Sequence, residues 1–234
     1  MRKKSNNDPK PASVERHRKQ HVSPAGTAKL PAAAQPAKRE TRLALLAAAE
    51  ICLRREGYGE LSTRRVAEHA GMPLSQIHYH FGSKQGLVLA LLDHLNERLL
   101  ERQTAAFSEP MPLSRRWERA CEFLDEDLTS GYVRILQDMI AAGWSDPEIA
   151  AAVRQDLRGW FALLENLATE ASQRFGGLAP FTPSEVAALV GAAFLGSEAA
   201  ILLGFESKEI PVRQALGRFG ELIRQAELSS ASGV

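Results

Sequence analysis

From Arg39 onward, apolar side chains recur at steps of three and four, and no segment alternates convincingly with the period of two that a half-buried strand needs. That pattern predicts an all-α chain. Leu43, Leu46, Ala47, Ile51 and Leu53 mark the inner face of a first helix over about Arg39–Glu56, which Gly57 ends. Ser62 can cap a second helix that stops at Gly71; a third follows Pro73. A long fourth begins near Ser83, with Leu87, Leu91, Leu95 and Leu99 at steps of four. Pro110 and Pro112 precede a helix over about Leu113–Thr129, and Gly131 opens another that reaches Ala142. Asp146–Pro147 is a helix start with a carboxylate cap and proline in the first turn; Val153, Leu157, Trp160, Leu164, Leu167 and Ala171 follow on one stripe. Gly176–Gly177 stops that helix, Thr182–Pro183 opens the next, and Pro211 opens the last. About nine helices are expected.

Length and composition narrow the class further. A chain of 234 residues, 44% of them hydrophobic, can bury a substantial core in one or two domains. The nearest approach to a membrane span, Val186 to Phe205, contains Ser197 and Glu198, so no membrane partner is expected. The basic N-terminal residues are not followed by an apolar segment, which argues against a secretory signal. Cys52 and Cys121 lack metal-ligand or disulfide spacing and read as small core residues of a cytoplasmic protein.

Charge is distributed unevenly. Residues 1–38 carry nine Lys and Arg against two Asp and Glu; residues 39–86 carry seven against five; residues 87–234 carry thirteen against twenty-one. The front therefore suits a polyanion and the back does not. Five of the twelve prolines fall within residues 1–38, with few large apolar groups. Those residues read as a disordered basic tail, either a loose tether to DNA or a solubilising leader. Residues 39–86 then form a helix-turn-helix unit, 87–228 a larger helical domain, and 229–234 a flexible C-terminus.

The stretch LSTRRVAEHAGMPLSQIHYHFGSK, Leu61 to Lys84, carries the most specific signal. Val66 and Ala67 supply the packed face of a supporting helix, Gly71 the sharp turn, and Ile77 the anchor of a second helix whose N-terminal half can enter a major groove. Leu74, Ser75, Gln76, His78, Tyr79 and His80 are left facing out. Gln76 can make paired hydrogen bonds to adenine, Ser75 can bond several base edges, and Leu74 can meet a thymine methyl. Tyr79, His80 and Lys84 suit phosphate oxygens. His78 and His80, two apart on a helix, lie on nearly opposite faces and make a poor metal pair, so neither metal nor cofactor is expected.

GYGELSTRRVAEHAG followed by MPLSQIHYHFGSK and an apolar helix resembles the DNA-binding domain of the tetracycline-repressor (TetR) family over about residues 41–92. The resemblance implies a homodimer that sets one reading helix per subunit into a palindromic operator. By position it gives Thr63 and Arg64 contacts to phosphate or a base, Ser75 and Gln76 to bases, and Tyr79, His80 and Lys84 to the backbone. Pro73 stands where members commonly carry a capping serine. His78–Tyr79–His80 replaces the commoner Tyr–His–Tyr or Tyr–Trp–His, which leaves open whether His78 or Tyr79 reaches phosphate.

The remaining helices match the family in number and order. The apolar helix from Pro183 to Phe205 must be covered on every side. Its small residues Ala188, Gly191, Ala192, Gly196 and Ala199 would admit a second copy, forming with the last helix the dimer interface the resemblance implies. The resemblance also implies a cavity for a small-molecule effector, with Trp117, Phe123, Tyr132, Met139, Trp144, Trp160 and Phe161 as lining candidates. A small hydrophobic effector would release the repressor from DNA; a ligand-independent regulator controlled by a protein partner is the alternative. The chain holds no Gly-x-Ser-x-Gly, His-Glu-x-x-His, P-loop or dinucleotide fingerprint, so no enzyme is expected.

Overall fold

The computed structural model describes residues 34–231, with side chains from residue 36 onward. Among these residues it is all-α, with nine helices and no strand. Most of the expected basic tail lies outside the described residues, as do the last three positions. Residues 34–38, placed in that tail by the sequence pattern, instead extend the first helix, and residues 229–231 extend the last.

Helix α1 (Ala34–Glu60) kinks at Gly57, where φ is 77°. It buries Leu45, Leu46, Ala48, Ala49, Cys52 and Leu53, whereas Leu43 and Ala47, expected inside, are exposed and Ile51 is half-buried. The segment RLALLAAAEICL is apolar on most of its circumference, so periodicity alone leaves its rotation open; contacts with α2, α4 and α6 set it.

Helices α2 (Thr63–His69) and α3 (Leu74–Phe81) are joined at Gly71, whose φ of 64° suits a residue without Cβ. The turn closes with Gly71 N–H donating to the Glu68 carbonyl at 3.1 Å and Met72 N–H to that of Ala67 at 2.9 Å. Ser62 occupies the position before α2, but its hydroxyl makes no capping bond, contrary to the expectation.

Three helix starts follow their sequence signals. Ser83 Oγ accepts from Gly86 N–H at 3.0 Å to open α4 (Lys84–Ser108). Asp146 accepts from Glu148 and Ile149 N–H at 2.9 and 3.1 Å to open α7 (Pro147–Phe175). Thr182 and Glu185 form a reciprocal capping box at α8 (Pro183–Leu202). Each such cap contributes about 1 kcal/mol.

The remaining elements are α5 (Leu113–Ser130), α6 (Tyr132–Gly143) and α9 (Val212–Ala231). One continuous core joins α1 to α4 with Ile135 and Met139 of α6 and Ile149 and Val153 of α7. The expected domain boundary at 86/87 therefore falls inside packed structure, since Leu87, Val88 and Leu91 share that core with Leu45 and Ile77.

Helix α9 is fastened to α5 by the ion pairs Arg213–Asp125 and Arg224–Glu118, both at 2.9 Å, and by part-buried hydrogen bonds. Trp117 Nε1–H donates to the Leu216 carbonyl at 2.7 Å, and Glu227 accepts from Leu113 N–H and the Ser114 hydroxyl, both at 2.5 Å. Helix α8 rests on α7 through Gly191, where an added Cβ would stand 2.2 Å from Phe161 Cε1. Gly191 thus serves packing within the chain rather than the approach of a second copy. Phe161 is likewise committed to that contact and is not among the residues that line the cavity described below.

Candidate nucleic-acid interface and effector cavity

Ile77, fully buried, pins α3 to α1, α2 and α4 and so fixes which of its residues face outward. Leu74, Ser75, His78 and Tyr79 are exposed, with Tyr79 at 61%; Gln76 and His80 are half-buried on the flanks. Neither α2 nor α3 has a side-chain cap at its N-terminus. Their first N–H groups and the positive end of each helix dipole suit an anion such as phosphate.

The cations around this face are arranged unequally. Lys38 Nζ lies 5.0 Å from the centre of the Tyr79 ring, and the Arg42 guanidinium 5.6 Å from that of Phe81. Burial, then Lys38 and Arg42, lowers the His80 pKa, so that ring is neutral at physiological pH and donates from one nitrogen. His78 Nδ1 is 3.2 Å from the Gly82 carbonyl oxygen, which ties it to the end of its own helix. Arg64, on the outer side of α2, pairs with Glu68 at 3.0 Å. Lys84 is turned inward, its Nζ donating to the Tyr58 carbonyl at 3.1 Å and standing over the Tyr58 ring. It braces the α1–α2 connection, and any phosphate contact would use its remaining donors.

Behind this unit, α4 to α9 enclose a cavity of about 210 Å³. Trp117, Phe123, Tyr132 and Trp160 line it. Met139 and Trp144 do not. Met139 is fully buried in the core shared with α1, and Trp144, at the C-terminal end of α6, is 84% exposed. The apolar walls of α7, including Leu157, Leu164 and Leu167, are half-buried because they face this hollow. Helix α4 serves both regions: Leu87 and Leu91 lie in the front core, while Asn96, Leu99, Gln103 and Phe107 line the cavity. Gln85 in its first turn donates to both carboxylate oxygens of Asp146, at 3.2 and 3.1 Å.

The outer surface of the last two helices is apolar and open in the single chain. Leu189, Ala192, Ala193 and Gly196 of α8 form, with Ala215 and Phe219 of α9, a shallow groove floored by Trp117. By length and composition α8 could also cross a membrane, and only 28% of its most apolar window is buried. Its polar residues Ser197 and Glu198 point inward and are buried.

Residues 45–91 match the family model of bacterial regulatory proteins of the tetR family. The matched segment is that of the TetR family. Among curated relatives, the HTH-type transcriptional regulator CymR of Pseudomonas putida is 31% identical over 121 residues. That match covers 50% of this chain and 57% of CymR, little more than half the relative's length. Solved structures share the fold across most of their length. A transcriptional regulator from Saccharomonospora viridis in complex with choline has a TM-score of 0.66 at 23% identity, covering 78% of this chain and 96% of that one. FadR from Bacillus subtilis, in complex with stearoyl-CoA, has a TM-score of 0.65 at 13% identity, covering 77% and 96%.

Two groups of residues are not evident from the sequence pattern. Lys38 and Arg42 approach α3 from α1; Lys38 falls in the expected tail because α1 begins five residues before Arg39. In the cavity, Asp127, Asp156 and Glu198 stand among apolar walls. Glu198 carries a signal in the sequence, the one charge beyond the first turn of the apolar helix α8. Asp156 carries none, since a carboxylate between Arg154 and Arg158 reads as solvent-facing.

Proposed function

We propose that the chain is a ligand-responsive transcriptional repressor that binds a palindromic operator as a homodimer. The observation that carries this is the outer face of α3, where Leu74, Ser75 and Tyr79 stand exposed over a fully buried Ile77, on a helix rigidly seated at the front of the molecule. Ser75 and Gln76 would read base edges; Thr63, Arg64, Tyr79 and His80 would meet phosphate, joined by Lys38 and Arg42.

The apolar groove on α8 and α9 supports dimerisation, because a second copy would cover it in the way an apolar surface of this extent requires. Two-fold symmetry then pairs two copies of α3 about 34–36 Å apart. The cavity supports effector control. A small molecule filling it would press on α4, which shares the front core, and would alter the separation of the two reading helices. It acts only through different affinity for the two arrangements.

The test uses the full-length protein and a random oligonucleotide pool in moderate salt. Enrichment of an inverted repeat with half-sites one helical turn apart, bound by a sedimenting dimer, is the expected result. Enrichment of no shared sequence, or binding by a monomer, would refute the reading.

A further inference from the structure

Asp156 of α7 is 8% exposed, lines the cavity, and leaves its Oδ2 without a hydrogen-bond partner. A buried carboxylate oxygen with nothing to accept from is a group arranged for something not yet present. Around it the charge balance is uneven. Asp127 of α5 is satisfied by Arg102 of α4, whose Nη2 donates to Oδ1 at 2.5 Å. Glu198 of α8 has only a neutral donor, Gln137 Nε2, at 3.0 Å. Arg116, which also lines the cavity, is paired with Glu170 about four turns along α7 and cannot serve as counterion here. Two carboxylates therefore remain without a positive partner.

Building on the effector reading above, we propose that the cavity takes an organic cation. An ammonium or amidinium head would sit between Asp156 and Glu198, and its apolar body would extend along α7 past Trp160 toward Leu164. Trp160 lies one turn from Asp156 on the same helix face, so a cation at the carboxylate meets an aromatic surface as well. A bare metal ion does not fit: among the described residues no three His, Cys, Asp or Glu side chains are grouped closely enough to hold one. An organic head is wide enough to touch carboxylates on different helices.

The titration of these groups agrees. Burial, then the charge of Asp93, pushes Asp156 up to about 6. Burial pushes Glu198 up to about 7, against the Gln137 hydrogen bond and with help from Asp127. Burial, followed by the charges of Asp127, Glu198 and Asp156, raises the Tyr132 pKa, which places that phenol in the same negative field. Each effect describes a site that favours an added positive charge.

Calorimetric titration of the full-length dimer at pH 8 tests the proposal with benzyltrimethylammonium, its neutral carbon isostere neopentylbenzene, and phenylacetate. Octyltrimethylammonium extends the series in length. The cations are expected to bind about tenfold or more tighter than the neutral isostere, with phenylacetate weakest. In D156N/E198Q, and to a smaller degree in Asp156→Asn alone, the cations lose about tenfold or more. Neopentylbenzene keeps its affinity there, which shows the cavity intact. No cation binding up to millimolar concentration, equal affinity for the neutral isostere, or unchanged cation preference in the double variant would each overturn the proposal. Operator release is titrated separately. A cation that binds as expected yet leaves operator affinity unchanged upholds the site and refutes the effector reading. Release by the neutral or anionic compound, without cation preference, does the reverse.

Discussion

The front of the molecule is filled and the back is hollow. Leu45, Leu46, Ile77, Leu87 and Leu91 have essentially no exposed surface, and no charged side chain belongs to their cluster. Leu157, Leu164 and Leu167 come from an equally regular helix but face a cavity, alongside carboxylates that lack counterions. A reading head must hold its side chains within a fraction of an ångström, and dense packing does that. The proposed sensing role needs two states close in free energy, and unfilled volume with uncompensated charge would favour them.

The contrast is sharpest in matched truncations. Leu91→Ala should destabilise the protein by about 3 kcal/mol, since it opens a void in packed surroundings, whereas Leu164→Ala should cost about 1 kcal/mol because it widens an existing one. Denaturant unfolding of both variants measures the difference, and equal losses would erase the distinction between the two regions.

The uncompensated charge gives a pH signature. Asp156 rises from 3.8 to about 6 and Glu198 from 4.5 to about 7 in the folded protein. Between the unfolded and folded values the native state holds more protons, so their stabilising effect is complete below about pH 4 and is lost as pH rises through 6 to 7. Asp156→Asn should therefore raise the stability of the unliganded protein by roughly 1–2 kcal/mol at pH 8 and by almost nothing at pH 4. A variant less stable than the parent at pH 8 would show that Asp156 has a counterion in solution.

At the front, charge should act on DNA rather than on folding. Lys38→Ala is expected to weaken all operator variants alike, by about 0.5–1 kcal/mol, and to lower the salt slope by about 1. A loss confined to one base position would instead make Lys38 a sequence reader. The smallest effect is expected for Trp144→Ala, within about 0.5 kcal/mol in stability and without change in ligand affinity, because the ring touches neither region.

What the sequence made legible follows the range of the interactions involved. The caps at Asp146 and Thr182 and the turn at Gly71 depend on neighbours a few residues away, and all are readable. The rotation of α1 is not, because its apolar circumference offers several faces and the choice belongs to α4 and α6. Trp144 and Phe161 looked like cavity aromatics by type; position sends one to solvent and the other against Gly191. Asp156 and Glu198 needed the assembly of α4 to α8 before their isolation could be seen. At the start of α4, the inward turn of Lys84 onto Tyr58 is set by an interaction 26 positions apart.

The most direct measurement replaces single adenines of the enriched operator with 7-deazaadenine, which lacks the major-groove N7 acceptor. If α3 reads the major groove through Gln76, one adenine in each half-site should be sensitive, losing roughly 1–3 kcal/mol with the parent protein and nothing further with Gln76→Ala. Insensitivity at every adenine, or an equal loss with Gln76→Ala, would contradict that assignment.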